Sequence, residues 1–298
     1  MKVALVTGAG GFMGRHMIDY LRARGARVTG SGRSAGLRCD LLDSGAARRL
    51  VGRLQPATIY HLAGTTKGLS WDALWAAHVA ATVNLLEAVR ALPDPSKVTV
   101  VISGSSAEYG DPGPRPVRET FEGTPLGPYG SSKLGQTLAA LSFGALGLDV
   151  RVARIFNAIG AGIPERLAAG SFASQVARIE KGLQPPLIKA GDLSPLRDFV
   201  DARDAVAALA AIASRGRAGE TYNVGSGRAT PVRAVLDGLL ALSPAAIRVE
   251  RAETRSHSAG LRRIHADSGK IRRQTGWAPR FTLEDSLRAA LDSWRTAA

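Results

Sequence analysis

At its start the chain passes from an apolar run into a glycine-rich loop and then into an amphipathic stretch. Lys2–Thr7 leads directly into Gly8-Ala9-Gly10-Gly11-Phe12-Met13-Gly14. The three spaced glycines carry separate duties. Gly8 suits a tight turn, Gly11 lets the main chain approach a diphosphate, and Gly14 lets helix and strand pack closely. The helix N-terminus behind them offers N–H groups to phosphate oxygens. A strand–loop–helix of this kind predicts a dinucleotide site at Gly8, Gly11, Phe12, Met13 and Gly14.

The rest of the first half repeats the strand–helix rhythm. Strand-like runs fall at Arg27–Gly30, Thr58–His61, Val98–Ser103 and Asp149–Ile155, with helical stretches near 12–24, 43–54, 71–91 and 129–146. Short apolar strands separated by helices predict an α/β chain with a doubly wound parallel sheet, the Rossmann arrangement. After about residue 156 the rhythm loosens. A helix is expected near 165–182, a strand–helix over 198–214, a strand at Thr221–Val224, a helix from Pro231 and a last helix near 282–296. The expected division is a dinucleotide-binding domain over 1–155, joined by elements near 198–224. A smaller mixed lobe over 156–298 would bind the substrate.

Composition excludes several classes. With 45% hydrophobic and 21% charged residues over 298 positions, the chain can bury a sizeable core. No apolar run is long enough for a bilayer, and the N-terminal one is too short for a secretory signal. The single cysteine, Cys39, cannot form an internal disulfide and reads as a small buried residue, so a cytoplasmic location is expected. The formal charge is +14, but 32 of the 39 cationic residues are Arg and they are scattered. That pattern fits a bias toward Arg, with some benefit to an anionic substrate. Aromatic residues make up 5% and leave few stacking platforms, so neither nucleic acid nor a membrane is the expected partner. The histidines show no metal-ligand spacing, and no metal is expected.

The second strand of a dinucleotide fold commonly ends in an acid that pairs with the ribose hydroxyls of NAD. Here it ends Thr29-Gly30-Ser31-Gly32-Arg33-Ser34, with an arginine and no acid. Arg33 suits the extra phosphate of NADP, with NAD as the alternative. Asp40 and Leu41 follow a short strand and would meet the adenine edge, unless Asp40 caps the next helix. Leu62, Ala63 and Gly64 follow the next strand, where the nicotinamide half belongs.

Tyr129 and Lys133 stand at i and i+4, on one helix face. A tyrosine near its ordinary pKa of about 10 is a poor acid or base at neutral pH. A neighbouring lysine would favour the phenolate and bring it into range. The serines of Ser103-Gly104-Ser105-Ser106 end a strand, where such sheets place their ligands.

Together these segments resemble the extended short-chain dehydrogenase/reductases that act on nucleotide sugars. The resemblance rests on Gly8-x-x-Gly11-x-x-Gly14, Ser105-Ser106-Ala107-Glu108-Tyr109-Gly110, Pro128-Tyr129-Gly130-x-x-Lys133 and Arg197-Asp198-Phe199-Val200. It runs on through Tyr222-Asn223-Val224-Gly225-Ser226-Gly227 and Thr275-Gly276-Trp277. With Arg154-Ile155-Phe156-Asn157 added, the chain looks most like reductases of GDP-4-keto-6-deoxy-mannose, which make GDP-rhamnose.

The resemblance implies Ser105, Tyr129 and Lys133 as the catalytic set and an enzyme that works as a homodimer. Ser103, Tyr129, Lys133 and Phe156 would also face the cofactor. Ser105, Ser106, Asn157 and Arg197 would face the substrate, although Arg197 beside Asp198 also reads as a local ion pair. The dimer would form through the helices near 71–91 and 129–146. Two departures matter. The position that carries glutamate in 4,6-dehydratases is Ala107, which disfavours dehydration, and Glu108 should point elsewhere on an extended segment. The late Arg-Pro that grips the nucleotide is missing, leaving Arg255, His257 and Arg262 as candidates. A 4-epimerase is the nearest alternative.

Overall fold

The computed structural model describes residues 3–33, 36–66, 70–251 and 261–297. The first unit is β1 (Val3–Thr7), α1 (Phe12–Arg22) and β2 (Arg27–Gly32), followed by β3 (Leu37–Arg38) and α2 (Ser44–Leu54). Then come β4 (Thr58–His61), α3 (Trp71–Trp75), a π-helical turn over Ala76–Ala80, and α4 (Ala81–Arg90). Next are β5 (Thr99–Ser105), a 3₁₀ turn over Ser106–Glu108, α5 (Pro128–Ala145), β6 (Asp149–Ile155), β7 (Asn157–Ile159) and α6 (Ala168–Glu180). The remainder holds β8 (Leu187–Ala190), β9 (Leu196–Arg197), β10 (Phe199–Asp201), α7 (Ala202–Arg215), β11 (Thr221–Val224), β12 (Thr230–Pro231) and α8 (Val232–Ala241). It closes with β13 (Arg248–Arg251), β14 (Arg263–Ile264), α9 (Gly269–Thr275) and α10 (Leu283–Ala297).

Seven strands form one parallel sheet in the order β11-β6-β5-β4-β1-β2-β3. The fold is therefore the doubly wound Rossmann type. Two strands join the five of the first half. β3 is the short strand expected before Asp40, and β11, at the expected Thr221–Val224, returns from the second half to pair with β6.

Successive residues along the central strands point to opposite faces. Leu5, Ile59, Val100, Ile102 and Val152 pack under α2, α4 and α5. Their neighbours Val6, Tyr60, Val101 and Ala153 pack under α1 and α7. Burial on both faces explains why these strands read as continuous apolar runs. A third core joins α6, α8 and α10 in the C-terminal lobe.

The strand order reverses between β1 and β4, and a crevice opens at such a switch point beyond the C-terminal strand ends. The glycine loop after β1, the segment Leu62–Gly64 after β4 and the serines at the end of β5 all leave the sheet there. The stretch 71–91 differs from the single helix expected. The π-helical turn at its middle adds a residue per turn and carries His78, which faces the crevice.

Candidate active site

The glycine loop is built as its spacing requires. Gly8 has φ +70°, and a Cβ there would come within 2.7 Å of the Leu62 and Ala63 main chain. A Cβ on Gly14 would lie 2.1 Å from the Gly8 carbonyl oxygen, so any larger residue would push α1 away from β1. No side chain caps the N-terminus of α1. Its first N–H groups are therefore left for an anion, and the cradle fits the diphosphate of a dinucleotide.

A cleft of about 430 Å³ opens beside this loop. It gathers Gly8, Gly11, Phe12, Met13 and Gly14 with Leu62, Ala63 and Gly64 from the end of β4. Ser103, Ser105 and Ser106 enter from β5 and the 3₁₀ turn, Tyr129 and Lys133 from the start of α5, and Phe156 and Asn157 from the β6–β7 junction. Residues far apart in the chain thus share one wall. Asn157 Nδ2 donates to Asp198 O at 2.9 Å, which fixes its amide at the cleft edge.

Four sequence candidates lie elsewhere. Arg33 is exposed just past β2 and does not line this cleft. Asp40 accepts from Leu42 N at 3.0 Å in a local turn, and the cap of α2 is Asp43, which accepts from Ala46 N. The Leu41 side chain is buried in the core beneath the sheet, so only its main chain is left to meet a ligand. Arg197 lines none of this cleft, and it is not paired with Asp198. Its guanidinium donates to Leu196 O and Leu261 O, both at 2.9 Å. The Asp198 carboxylate instead accepts from Ser226 N, Ser226 Oγ, Gly227 N and Ala266 N. Arg255 and His257 lie outside the described residues.

Thr66, His78 and Arg166 line the cleft and were not singled out by sequence. His78 did carry a signal, a polar ring within an apolar helical stretch one turn before Thr82. Arg166 carried none.

The Ser105 hydroxyl oxygen accepts from Ala107 N at 3.2 Å, and the Glu108 carboxylate reaches back to Ser105 N at 2.7 Å. This reciprocal cap folds Ser106–Glu108 into a 3₁₀ turn rather than the extended segment expected. Glu108 still points away from the cleft, into a buried ion pair with Arg154. Ala107 takes the cleft position.

The Lys133 ammonium donates to Ser103 O and to Gln136 Oε1. Burial pulls its pKa down to about 8, with Glu108 opposing. Burial raises the Tyr129 phenol, the Ser105 hydroxyl pulls it back, Glu108 adds to the rise, and Arg166 also lowers it. Lys133 is not among the groups that shift the phenol, and its ammonium is held by Ser103 O and Gln136 Oε1.

Behind Lys133 a buried chain of hydrogen bonds has a fixed direction. Gln136 Nε2 donates to Thr82 Oγ1 at 2.8 Å, and Thr82 spends its one proton on His78 O at 2.6 Å. His61 Nε2, 2.9 Å from Thr82 Oγ1, must therefore be the donor, leaving Nδ1 to accept from Thr7 Oγ1 at 2.8 Å. Ser132 Oγ likewise donates to Tyr129 O, so His78 Nδ1 donates to it at 2.8 Å. The His78 ring meets Tyr129 edge-on at 5.6 Å between centroids. Tyr129 is held by packing on one side and by its own helix on the other.

Residues 4–225 match the NAD dependent epimerase/dehydratase family. A GDP-6-deoxy-D-mannose reductase of Pseudomonas aeruginosa is 32% identical over 98% of this chain and 96% of its own length. The structure of RMD from Pseudomonas aeruginosa complexed with NADPH superposes with a TM-score of 0.90 at 31% identity, covering 100% of both chains. The Thermus thermophilus UDP-glucose 4-epimerase complex with NAD gives 0.86 at 26% identity, over 99% of this chain and 100% of its own. Its Rossmann sheet, its glycine cradle and these likenesses agree: the chain belongs to the NAD dependent epimerase/dehydratase family.

Proposed function

We propose that this protein is an NADPH-dependent reductase of a nucleotide-activated 4-keto-6-deoxy sugar, with GDP-4-keto-6-deoxy-mannose as substrate and GDP-rhamnose as product. One observation carries the reading. The described residues lining the cleft include two cations, Lys133 and Arg166, the hydroxyls of Ser105 and Tyr129, and no aspartate or glutamate. Such a site takes up anionic ligands and can hand a proton to one oxygen. It has no carboxylate at the Ala107 position to remove a proton from a neighbouring carbon, as dehydration requires. The likeness to the P. aeruginosa reductase across nearly the whole chain supports the same choice and the same substrate class.

In this reading Gly8 to Gly14 and the start of α1 hold the diphosphate of NADPH, and Ser103, Leu62 to Gly64 and Phe156 line its nicotinamide half. The reduced nicotinamide supplies the hydride for reduction of the ketone. The Tyr129 hydroxyl gives its proton to the ketone oxygen as charge develops there. Ser105, whose oxygen accepts from Ala107 N and whose hydroxyl acts on the Tyr129 phenol, donates its proton to that same ketone oxygen when the substrate is bound. Lys133, one helical turn from Tyr129, is the cation that would favour the phenolate as the proton leaves. Asn157 and residues 156–298 seat the nucleotide sugar, and Arg33 addresses the phosphate that distinguishes NADPH.

A homodimer through α3–α4 and α5 fits the exposed Trp71, Trp75 and Leu138, large apolar side chains on those helices. Sedimentation should then show a dimer, and Leu138→Glu should dissociate it.

Mixing purified protein with NADPH and GDP-4-keto-6-deoxy-mannose tests the function. Stoichiometric loss of reduced-cofactor absorbance with GDP-rhamnose formed is the expected result. No turnover, with NAD held tightly in the preparation, would identify a nucleotide-sugar 4-epimerase instead.

A further inference from the structure

Arg166 stands in the loop between β7 and α6, on the wall of the cleft contributed by the second half of the chain. It is exposed, and among the described residues it is not half of an ion pair. Its neighbour Glu165 is engaged by Arg178 at 3.0 Å and by Ser174 Oγ at 3.0 Å. The only hydrogen bond Arg166 makes among the described residues runs from Nε to Thr66 Oγ1 at 2.5 Å. That bond joins the loop after β4 to the loop before α6, a sequence separation of 100 residues. Its two terminal nitrogens have no partner among the described residues, in a cleft lined by no acid. A guanidinium with its fork unused offers two parallel donors, the geometry that suits a phosphate.

Which phosphate follows from position. The diphosphate of the dinucleotide is addressed from the β1–α1 loop, on the other half of the chain. Arg166 lies close enough to Tyr129 for its charge to act on the phenol. The reacting carbon must sit at Tyr129 and Ser105, and the sugar-linked phosphate lies one sugar ring beyond it. We propose that Arg166 is a substrate-contacting residue that grips the sugar-linked phosphate of the nucleotide sugar and closes the cleft mouth together with Thr66. The inference rests on the nucleotide-sugar reading above.

The same placement makes Arg166 felt at the catalytic proton. The charged and titratable groups facing Tyr129 are Lys133 on its own helix, Glu108 on the 3₁₀ turn, His78 on the π-helical turn and Arg166. Ser105 adds a hydroxyl. His78 is neutral, so Arg166 is the one cation brought to the phenol by the substrate lobe among these groups. Removing it should move the Tyr129 titration to higher pH.

Calorimetry on wild type, Arg166→Ala and Arg166→Lys with GDP, GMP, GDP-mannose and NADPH tests the assignment. Arg166→Ala should weaken GDP and GDP-mannose by roughly tenfold or more, leave GMP and NADPH nearly unchanged, and be partly rescued by Arg166→Lys. Equal losses for GMP and GDP, or a loss confined to NADPH, would overturn it. Ultraviolet titration of the phenolate, with Tyr129→Phe subtracted, needs no substrate. It should shift upward in Arg166→Ala, and an unmoved titration counts against the contact with Tyr129. If wild type prefers UDP or dTDP to GDP, the assigned base falls. The diphosphate-to-monophosphate comparison made with that base still decides the role of Arg166.

Discussion

Glu108 Oε2 lies 2.7 Å from Arg154 Nε, and both side chains are almost wholly shielded from solvent behind the strand that ends in Ser105. The same carboxylate accepts from Ser105 N and from Thr137 Oγ1. It fits only because position 104 is glycine, since a Cβ there would lie 2.6 Å from Glu108 Oε1. The pair sets the height of Ser105 in the cleft. Truncating one partner strands a buried charge, which costs about 3–5 kcal/mol, whereas replacing both by apolar residues costs far less. Glu108→Ala should therefore lower stability in urea by several kcal/mol, and Glu108→Leu with Arg154→Met should recover most of the loss. A double variant as unstable as the single would refute the pair as the cause.

His61 and His78 give the fold an acid-sensitive element. Burial, with the Lys133 charge nearby, pulls His61 down to about 3 and His78 to about 4. Each ring has one nitrogen donating and one accepting, so protonation adds a hydrogen where a donor already points. Both folded values lie below the unfolded value of about 6.5, so the unfolded chain binds more protons between those limits. Stability is thus fully present above pH 6.5 and is lost as pH falls toward 4 and then 3. The loss reaches at most about 1.4 kcal/mol per pH unit for each histidine. Melting temperatures should fall across that window, and His61→Gln, which can still donate and accept, should flatten the slope. An unchanged slope would assign the acid sensitivity to carboxylates instead.

Much of this site was legible because local patterns coincide with global ones. The Gly8–Gly14 spacing, the Tyr129–Lys133 pair and the serines at the end of β5 each state a backbone or helix-face requirement within a few residues. What stayed hidden depends on contacts across the fold. Arg166 meets Thr66 across 100 residues of sequence, and no periodicity marks either one. The π-helical turn that delivers His78 follows from packing against α5, which a stretch as apolar as 76–81 does not announce. Arg197 was read as a ligand or an ion-pair partner, and the carbonyls of Leu196 beside it and of Leu261, 64 residues on, made it neither in this cleft. Asp40 and Asp43 are alike in sequence terms, and only the register of α2 decides which of them caps the helix.

Cofactor choice should follow Arg33. The end of β2 carries no acid, Ser31 there is buried, and the exposed Arg33 is the residue proposed to meet a 2′-phosphate. Arg33→Asp replaces that cation with an acceptor for ribose hydroxyls and repels the phosphate. The ratio of kcat/KM for NADPH over NADH should drop by at least about tenfold, roughly 1.4 kcal/mol of discrimination. A ratio that does not move would place the phosphate against another residue.

Tyr129→Phe should abolish turnover while NADPH binding is kept, since the ring still packs against His78 and only the proton is removed. The finer expectation concerns Lys133, whose ammonium is held by Ser103 O and by a neutral amide, Gln136 Oε1. Lys133 is charged below about pH 8 and neutral above it. If its charge assists the proton leaving Tyr129, kcat falls as pH rises through that value. Gln136→Glu places a carboxylate against the ammonium, stabilises the charged form and should move this limb to higher pH. Gln136→Leu removes an acceptor and should move it lower, with some loss of stability from the unpaired groups left behind. The pH profile of kcat for the three proteins, with NADPH saturating, separates these effects from simple misfolding. A limb that stays in place in both variants would show that Lys133 does not control the proton on Tyr129.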